Sequence, residues 1–325
     1  MQFLYFLEKI RNPVFDFFFS LITHIGEETF FLVIAILFFW CINKRQGYFI
    51  LLTGLIGTVI NQGLKLLCKI PRPWVLDSNF TIVESARAEA SGYSFPSGHT
   101  QNVAGTFGAV GRFARKRWVA ISCVVIIALV SLSRMYLGVH TPYDVATSLC
   151  IAALIIFVLA PMFATEEKFH RTMPYVILAG IALTIALALY AFLHSDSGVD
   201  AHNLYSARKN AATLLGCLLG LCLVYPIDRF KINFTTDGKW YAQVIKLALG
   251  LGGVLAIKSG LKAPLELLFG LFMKNPEFLA RGVRYFLIVG FAGSVWPLTF
   301  KFFAGLRIEP LEKFTDKLIA KFHKN

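Results

Sequence analysis

Charged side chains are scarce in this sequence. They make up 16% of 325 residues, where a soluble domain carries about 25%. That leaves too little polar surface to cover a soluble fold of this size and argues against a soluble globular enzyme. Acidic residues are rarer still, at 19 Asp and Glu against 32 Lys and Arg. Cysteine is also sparse. The six cysteines, at 41, 68, 123, 150, 217 and 222, form no C-x-x-C pair and lie mostly inside apolar runs. They read as membrane-buried thiols rather than as a disulfide or metal framework. A secretory signal is missing from the N-terminus: Met1 to Ile10 has no basic start, and Glu8, Lys9 and Arg11 interrupt its apolar run. No internal repeat, low-complexity tract or soluble domain stands out. The carboxylates Asp77, Glu84 and Glu89 are scattered along one loop. Neither they nor any Cys/His spacing suggests a metal, and no cofactor is implied.

What the chain has in abundance is apolar length. Hydrophobic residues make up 56%, Phe alone supplies 31 positions, and the mean hydropathy is +0.63. The class is an all-α, polytopic transmembrane helical bundle. A spanning helix needs about 20 mostly apolar residues. Candidates fall near 28–43, 47–69, 99–113, 118–137, 141–163, 174–194, 207–226, 240–258 and 283–303, about nine in all. Residues 1–22 fit either an interfacial helix or a short extra span. Ala263–Met273 is apolar but short, and fits an interfacial or re-entrant segment.

The formal charge of +13 belongs to a membrane protein's basic loops rather than to nucleic-acid binding. Lys44, Arg45, Arg112, Arg115, Lys116 and Arg117 sit between apolar segments, and the tail adds Lys301, Arg307, Lys313, Lys317, Lys321 and Lys324. The positive-inside rule puts these segments in the cytoplasm. The loops at 70–98, 138–141 and 195–206 then lie outside, the last of them carrying Asp196 and Asp200. The basic residues Lys262, Lys274 and Arg281 fit this scheme poorly. Residues 1–163 hold the unusual polar positions, and residues 164–325 read as additional membrane helices.

Ionisable groups beside or inside spans are costly and functional by default. Three segments concentrate them. In the first, Lys65 and Arg72 lie seven residues apart, with Pro71 and Pro73 ending the helix near Ile70. They offer a point charge and a bidentate fork to one anion. Taken alone, the pair is explained more simply as a snorkelling lysine and an interfacial arginine. In the second, Pro96-Ser97-Gly98-His99 precedes a helical run, with Ser97 as N-cap. A helix N-terminus binds phosphate, Gly98 permits close approach, and His99 can give a proton to a leaving oxygen. In the third, Ser133 and Arg134 are followed by His140 and Asp144. Capping alone accounts for Thr141, Pro142 and Asp144. It accounts for neither His140 nor Arg134. Four residues apart, the Asp144 carboxylate can fix the tautomer of His140 and leave the other ring nitrogen free to attack. Two histidines, one aspartate, three cations and a helix N-terminus suit phosphoryl transfer.

With these segments in view, the sequence resembles the type 2 phosphatidic acid phosphatase superfamily. That family's pattern is K-x6-R-P, P-S-G-H and S-R-x5-H-x3-D, and every position is matched in order and spacing by Lys65 to Pro73, Pro96 to His99 and Ser133 to Asp144. The resemblance covers about residues 28–163. It implies a six-helix-type core and a metal-independent phosphatase. By position, His140 would form a phosphohistidine and Asp144 would orient it. His99 would protonate the leaving alkoxide and later help to activate water. Lys65, Arg72, Ser97, Gly98 and Arg134 would hold the phosphoryl oxygens. The substrate implied is a lipid phosphate monoester or diphosphate in the bilayer: phosphatidate, phosphatidylglycerophosphate, a sphingoid phosphate or a polyprenyl diphosphate. A bacterial plasma membrane with the site facing outside is expected. The extra C-terminal helices are similar to the layout of the glucose-6-phosphatase branch, so hydrolysis of a soluble phosphate ester stays open. Phosphotransfer to another acceptor and a non-catalytic lipid-transport role also stay open. Residues 79–93 are expected to form a modest cap over the site.

Overall fold

The computed structural model describes residues 1–87, 90, 92–193 and 201–313. Glu89, Asp196, Asp200, Lys317, Lys321 and Lys324 lie outside the described residues. Everything regular among the described residues is helical. In order, these are α1 (Gln2–Lys9), α2 (Pro13–Thr23), α3 (Glu28–Leu37), α4 (Lys44–Cys68), α5 (Pro73–Leu76), α6 (Gly98–Arg112) and α7 (Arg117–Tyr136). There follow α8 (Pro142–Leu159), α9 (Glu166–Leu193), α10 (Ala201–Ile227), α11 (Trp240–Gly260), α12 (Lys262–Gly270), α13 (Pro276–Gly290) and α14 (Phe300–Gly305).

Among the described residues, seven helical segments are long and apolar enough to cross a membrane. They are Lys44–Leu76, Arg117–Tyr136, Pro142–Phe163, Glu166–Leu193, Ala201–Ile232, Trp240–Gly270 and Pro276–Gly305. An eighth arises if Pro13–Gly26 and Glu28–Ile42, bent by 52° between them, count as one broken span. Hydropathy alone predicts about nine. The difference lies mainly at 99–113. Helix α6 has 15 residues, about 22 Å of length, against a hydrocarbon core of about 30 Å. Its buried positions include Thr100, Gln101 and Thr106 beside Val103 and Ala104, so it is an interior helix enclosed by α4, α7 and α8. Residues 1–22 form α1 and most of α2, the second capped by Asn12 and started by Pro13. Ala263–Met273 is not a separate re-entrant element, because α12 continues α11 within one long apolar segment.

The core is aromatic where α4 meets its neighbours. Tyr48, Phe49, Phe163 and Phe169 are buried against one another. Helices α10 and α13 approach backbone to backbone: a Cβ placed on Gly216 would fall 2.1 Å from the Gly282 carbonyl oxygen. Small residues that let membrane helices touch are a main source of packing in lipid. Lys246, inside α11, is fully buried; it donates to the Trp40 carbonyl at 2.8 Å and lies over the Phe300 ring.

Basic loops gather at one end of the bundle. Lys44 pairs with Asp228 at 3.0 Å and Arg45 with Glu166 at 3.2 Å. From Lys44, α4 runs about 32 Å to Lys65, which stands among the polar loops at the other end.

Candidate active site

Three chain reversals build the polar end. Helix α4 stops at Cys68 because Lys69 adopts a left-handed conformation, and Pro71 and Pro73 follow. Arg72 then becomes the N-cap of α5. Helix α6 begins after Ser97, whose hydroxyl accepts from the Thr100 N–H at 3.4 Å. Between α7 and α8, Gly138 takes a φ of 80°, and the His140 N–H returns to the Arg134 carbonyl at 3.2 Å. Thr141 and Asp144 close a capping box at the start of α8. The N-termini of α6 and α8 are tied together. The Ser97 N–H donates to the Asp144 carbonyl at 3.1 Å, and Ser148 Oγ donates to the Ser97 carbonyl at 2.8 Å.

His140 sits at the centre, 2% exposed. Its Nε2 lies 2.9 Å from Arg72 Nη1. A guanidinium only donates, so Nε2 is the acceptor and the ring proton is on Nδ1. Nδ1 lies 3.4 Å from Asp144 Oδ2. That carboxylate oxygen is held more tightly by two other donors, Ser94 Oγ at 2.5 Å and the Thr141 N–H at 2.7 Å. The tautomer expected from the spacing of His140 and Asp144 is therefore set from the Arg72 side as well. Burial holds the His140 imidazole well below its ordinary pKa, and the charges of Arg72, Arg134 and Lys65 push in the same direction. The ring is neutral at physiological pH, with a lone pair on Nε2.

The remaining expected residues surround this pair. Arg72 is anchored through Nε to the Gly92 carbonyl at 3.0 Å and through Nη1 to the Val139 carbonyl at 2.8 Å. Lys65 Nζ donates to the Tyr93 carbonyl at 2.5 Å, and the Ser94 carbonyl stands at 3.4 Å. Arg134 is buried, and its Nη1 donates to Thr23 Oγ1 at 2.6 Å. Gly98 and His99 open α6 and line a polar cavity of about 390 Å³. A Cβ on Gly98 would meet nothing within 4 Å, so protein packing does not require the glycine. The loop after α5 packs through Phe80, Ile82 and Ala86, and its carbonyls anchor Lys65 and Arg72. Among the described residues, no three His, Cys, Asp or Glu side chains gather as a metal site.

Four participants escape a reading of the sequence alone. Ser94, fully buried, bridges the Lys65 and Asp144 sides of the site. Thr23 holds Arg134. Asn61 and Gln101 face the cavity beside His99. Asn61 does carry a signal, being an amide one helical turn before Lys65 in an apolar helix. Gln101 stands one turn after Ser97.

The family profile described as PAP2 superfamily matches residues 46–168, and the profile described as PAP2 superfamily phosphatase, transmembrane extension, matches residues 210–307. Sphingosine-1-phosphate phosphatase 1 of Mus musculus is 25% identical over 274 residues, covering 79% of this chain and 62% of the mouse protein. Phosphatidylglycerophosphatase B of Bacillus subtilis is 29% identical over 175 residues, 50% of this chain and 80% of that protein. Undecaprenyl-diphosphatase BcrC of the same bacterium is 30% identical over 151 residues, 45% of this chain and 74% of that protein. The chain thus spans less than two thirds of the mouse relative's length. No solved structure matches significantly.

Proposed function

The chain belongs to the PAP2 superfamily, and from that premise we propose that it is an integral membrane phosphatase acting on a lipid phosphate monoester or diphosphate through a phosphohistidine. The observation that carries this reading is the neutral His140, with Nε2 at 2.9 Å from the Arg72 guanidinium and Nδ1 turned to Asp144. The phosphoryl group replaces Nε2 as the partner of Arg72, and its oxygens are held by Arg72, Lys65, Arg134, the Ser97 hydroxyl and the Gly98 N–H at the start of α6.

In the first step Nε2 attacks phosphorus, the phosphorus–oxygen bond to the leaving group breaks, and His99 gives that oxygen a proton. Asp144 balances the charge that develops on the His140 ring. In the second step water attacks the phosphohistidine, the nitrogen–phosphorus bond breaks, and His99 takes the water's proton. Ester and water enter; alcohol and inorganic phosphate leave. These charges and dipoles act in a buried site, where each is worth more than in water.

Residues 1–163 form the catalytic core in this reading, and residues 164–325 are additional membrane helices. The site faces outside a bacterial plasma membrane. The supporting observation is that Lys44, Arg45 and Arg229 cluster at the end of the bundle opposite His140.

The test is phosphate release by the purified, detergent-solubilised chain in EDTA. The panel holds phosphatidate, phosphatidylglycerophosphate, sphingosine phosphate, polyprenyl diphosphate and glucose 6-phosphate. Release from a lipid, abolished in His140→Ala, supports the reading. Release from glucose 6-phosphate alone, or from none by folded protein, rejects it.

A further inference from the structure

The cavity beside His99 carries polar groups that phosphate binding does not use. Asn61 on α4 and Gln101 on α6 line it, 1% and 2% exposed. Neither the oxygen nor the nitrogen of either amide finds a hydrogen-bond partner among the described residues. A buried amide left this way is destabilising, because each group has given up water without gaining another hydrogen-bond partner. Their placement is built in. A Cβ on Gly57 would lie 2.5 Å from Gln101 Nε2, so α4 leaves the room that the glutamine amide fills. Asn61 and Lys65 follow Gly57 at one-turn intervals, on the same face of α4.

Two carboxylates join these amides. The bend between α2 and α3 places Glu27 and Glu28 in the cavity wall. Glu27 bonds His24 Nδ1. Asn102 Nδ2 donates to the Gly26 carbonyl at 3.2 Å, which fixes the bend against α6. Glu28 also lines a second, apolar crevice of about 250 Å³, together with Thr29 and Thr58. The two spaces therefore meet at these three residues. The crevice runs between Phe31, Leu55, Leu214 and Val289, so α10 and α13 of the C-terminal half form one of its walls. Its one lining cation, Lys258, is exposed on α11.

Resting on the phosphatase reading above, we infer that the leaving alcohol is a single-chain amphiphile with a protonated amine close to the ester oxygen. The amine faces Glu27 and Glu28, its neighbouring hydroxyl pairs with the amides of Asn61 and Gln101, and the alkyl chain enters the apolar crevice. A diacylglycerol leaving group has only ester acceptors near the phosphate, so it would offer neither carboxylate a donor: Glu27 would keep only His24, and Glu28 only water. A prenyl phosphate leaving group is an anion, and the carboxylates repel it. A crevice of this size, just below the roughly 300–1,000 Å³ of ordinary ligand sites, suits one chain rather than two. The C-terminal helices thereby gain a role, since they wall the tail site.

The experiment compares kcat/KM of the full chain in detergent and EDTA for three substrates of equal chain length. These are a long-chain 2-amino-alcohol phosphate, its N-acylated two-chain form and the amine-free alkyl phosphate. The expected result is a preference of about tenfold or more for the free amine, the scale of one hydrogen bond to a charged group. The preference falls towards one in the Glu27→Gln/Glu28→Gln double variant. Equal rates on the amine and amine-free substrates in the unaltered chain overturn the inference and leave the phosphatase reading standing. A preference that survives in the double variant overturns the role given to the carboxylates. Release from none of the three or from any lipid of the wider panel, by folded protein, overturns the phosphatase reading and this inference with it.

Discussion

Arg72 Nη1 lies 2.9 Å from His140 Nε2, the ring nitrogen opposite the one that faces Asp144. One guanidinium thereby holds Nε2 unprotonated, the nitrogen that attacks phosphorus in the proposed mechanism, and stands where that mechanism places the phosphoryl group. The same Nη1 is tied to the Val139 carbonyl and Nε to the Gly92 carbonyl, so the fork is oriented before any phosphate arrives.

Arg72→Lys keeps the charge and loses that fork. The variant is expected to lose about 10- to 100-fold in kcat/KM, the scale of one or more charge-assisted hydrogen bonds. Steady-state phosphate release checks it, and activity within about twofold of the parent would show that the fork is dispensable.

Asp144 has two jobs in the structure, capping α8 and facing His140 Nδ1. Asp144→Asn retains an oxygen for the Thr141 N–H but removes the charge that balances an imidazolium. The expected loss is about a hundredfold or more in kcat with the melting temperature little changed. An unchanged kcat would leave Asp144 as a helix cap. Ser94→Ala, which removes the 2.5 Å bond to Asp144 Oδ2, should lower kcat about tenfold with little change in KM.

The pH dependence of stability follows from the buried His140. Its folded-state pKa lies well below the ordinary imidazole value, so the folded protein binds fewer protons there than the unfolded chain. Its contribution to stability is fully present above about pH 6.5, the ordinary imidazole value, and is lost as pH falls towards the folded value. The melting temperature in detergent should drop between about pH 7 and pH 5, and His140→Asn should flatten part of that drop. An identical pH profile in the variant would mean that His140 is not held neutral.

Helices α10 and α13 touch through Gly216 and Gly282. Gly216→Leu puts a side chain where a carbonyl oxygen stands 2.1 Å from the Cβ position, so the helices must part. The melting temperature should fall by several degrees or the protein should fail to accumulate. Normal stability would show that the contact is not tight.

Much of this is legible in the sequence, because the residues concerned have few other uses. Pro71 and Pro73 announce the end of α4, and the structure ends it at Cys68. The Ser97 and Thr141 caps are readable from residue type alone and stand where expected. The ionisable positions of the three segments come together around His140 as their chemistry suggests. What cannot be read is depth. Helix α6 resembles a span because hydropathy counts Val103, Ala104 and Ala109 without knowing that Gln101 and Thr106 are interior too. Ser94 is invisible for a similar reason: its value lies in a bond to Asp144, far along the chain. Asn61 and Gln101 line one cavity from two different helices, and the Gln101 amide fits only because Gly57 has no side chain, a relation no single segment expresses.

The central claim is that His140 carries the phosphoryl group. Brief mixing of the purified chain with a ³²P-labelled lipid phosphate, followed by an alkaline quench that preserves nitrogen–phosphorus bonds, measures it directly. The account predicts label on the peptide that contains His140, and none in His140→Ala. Label on another residue, or undiminished label and phosphate release in the variant, would contradict it.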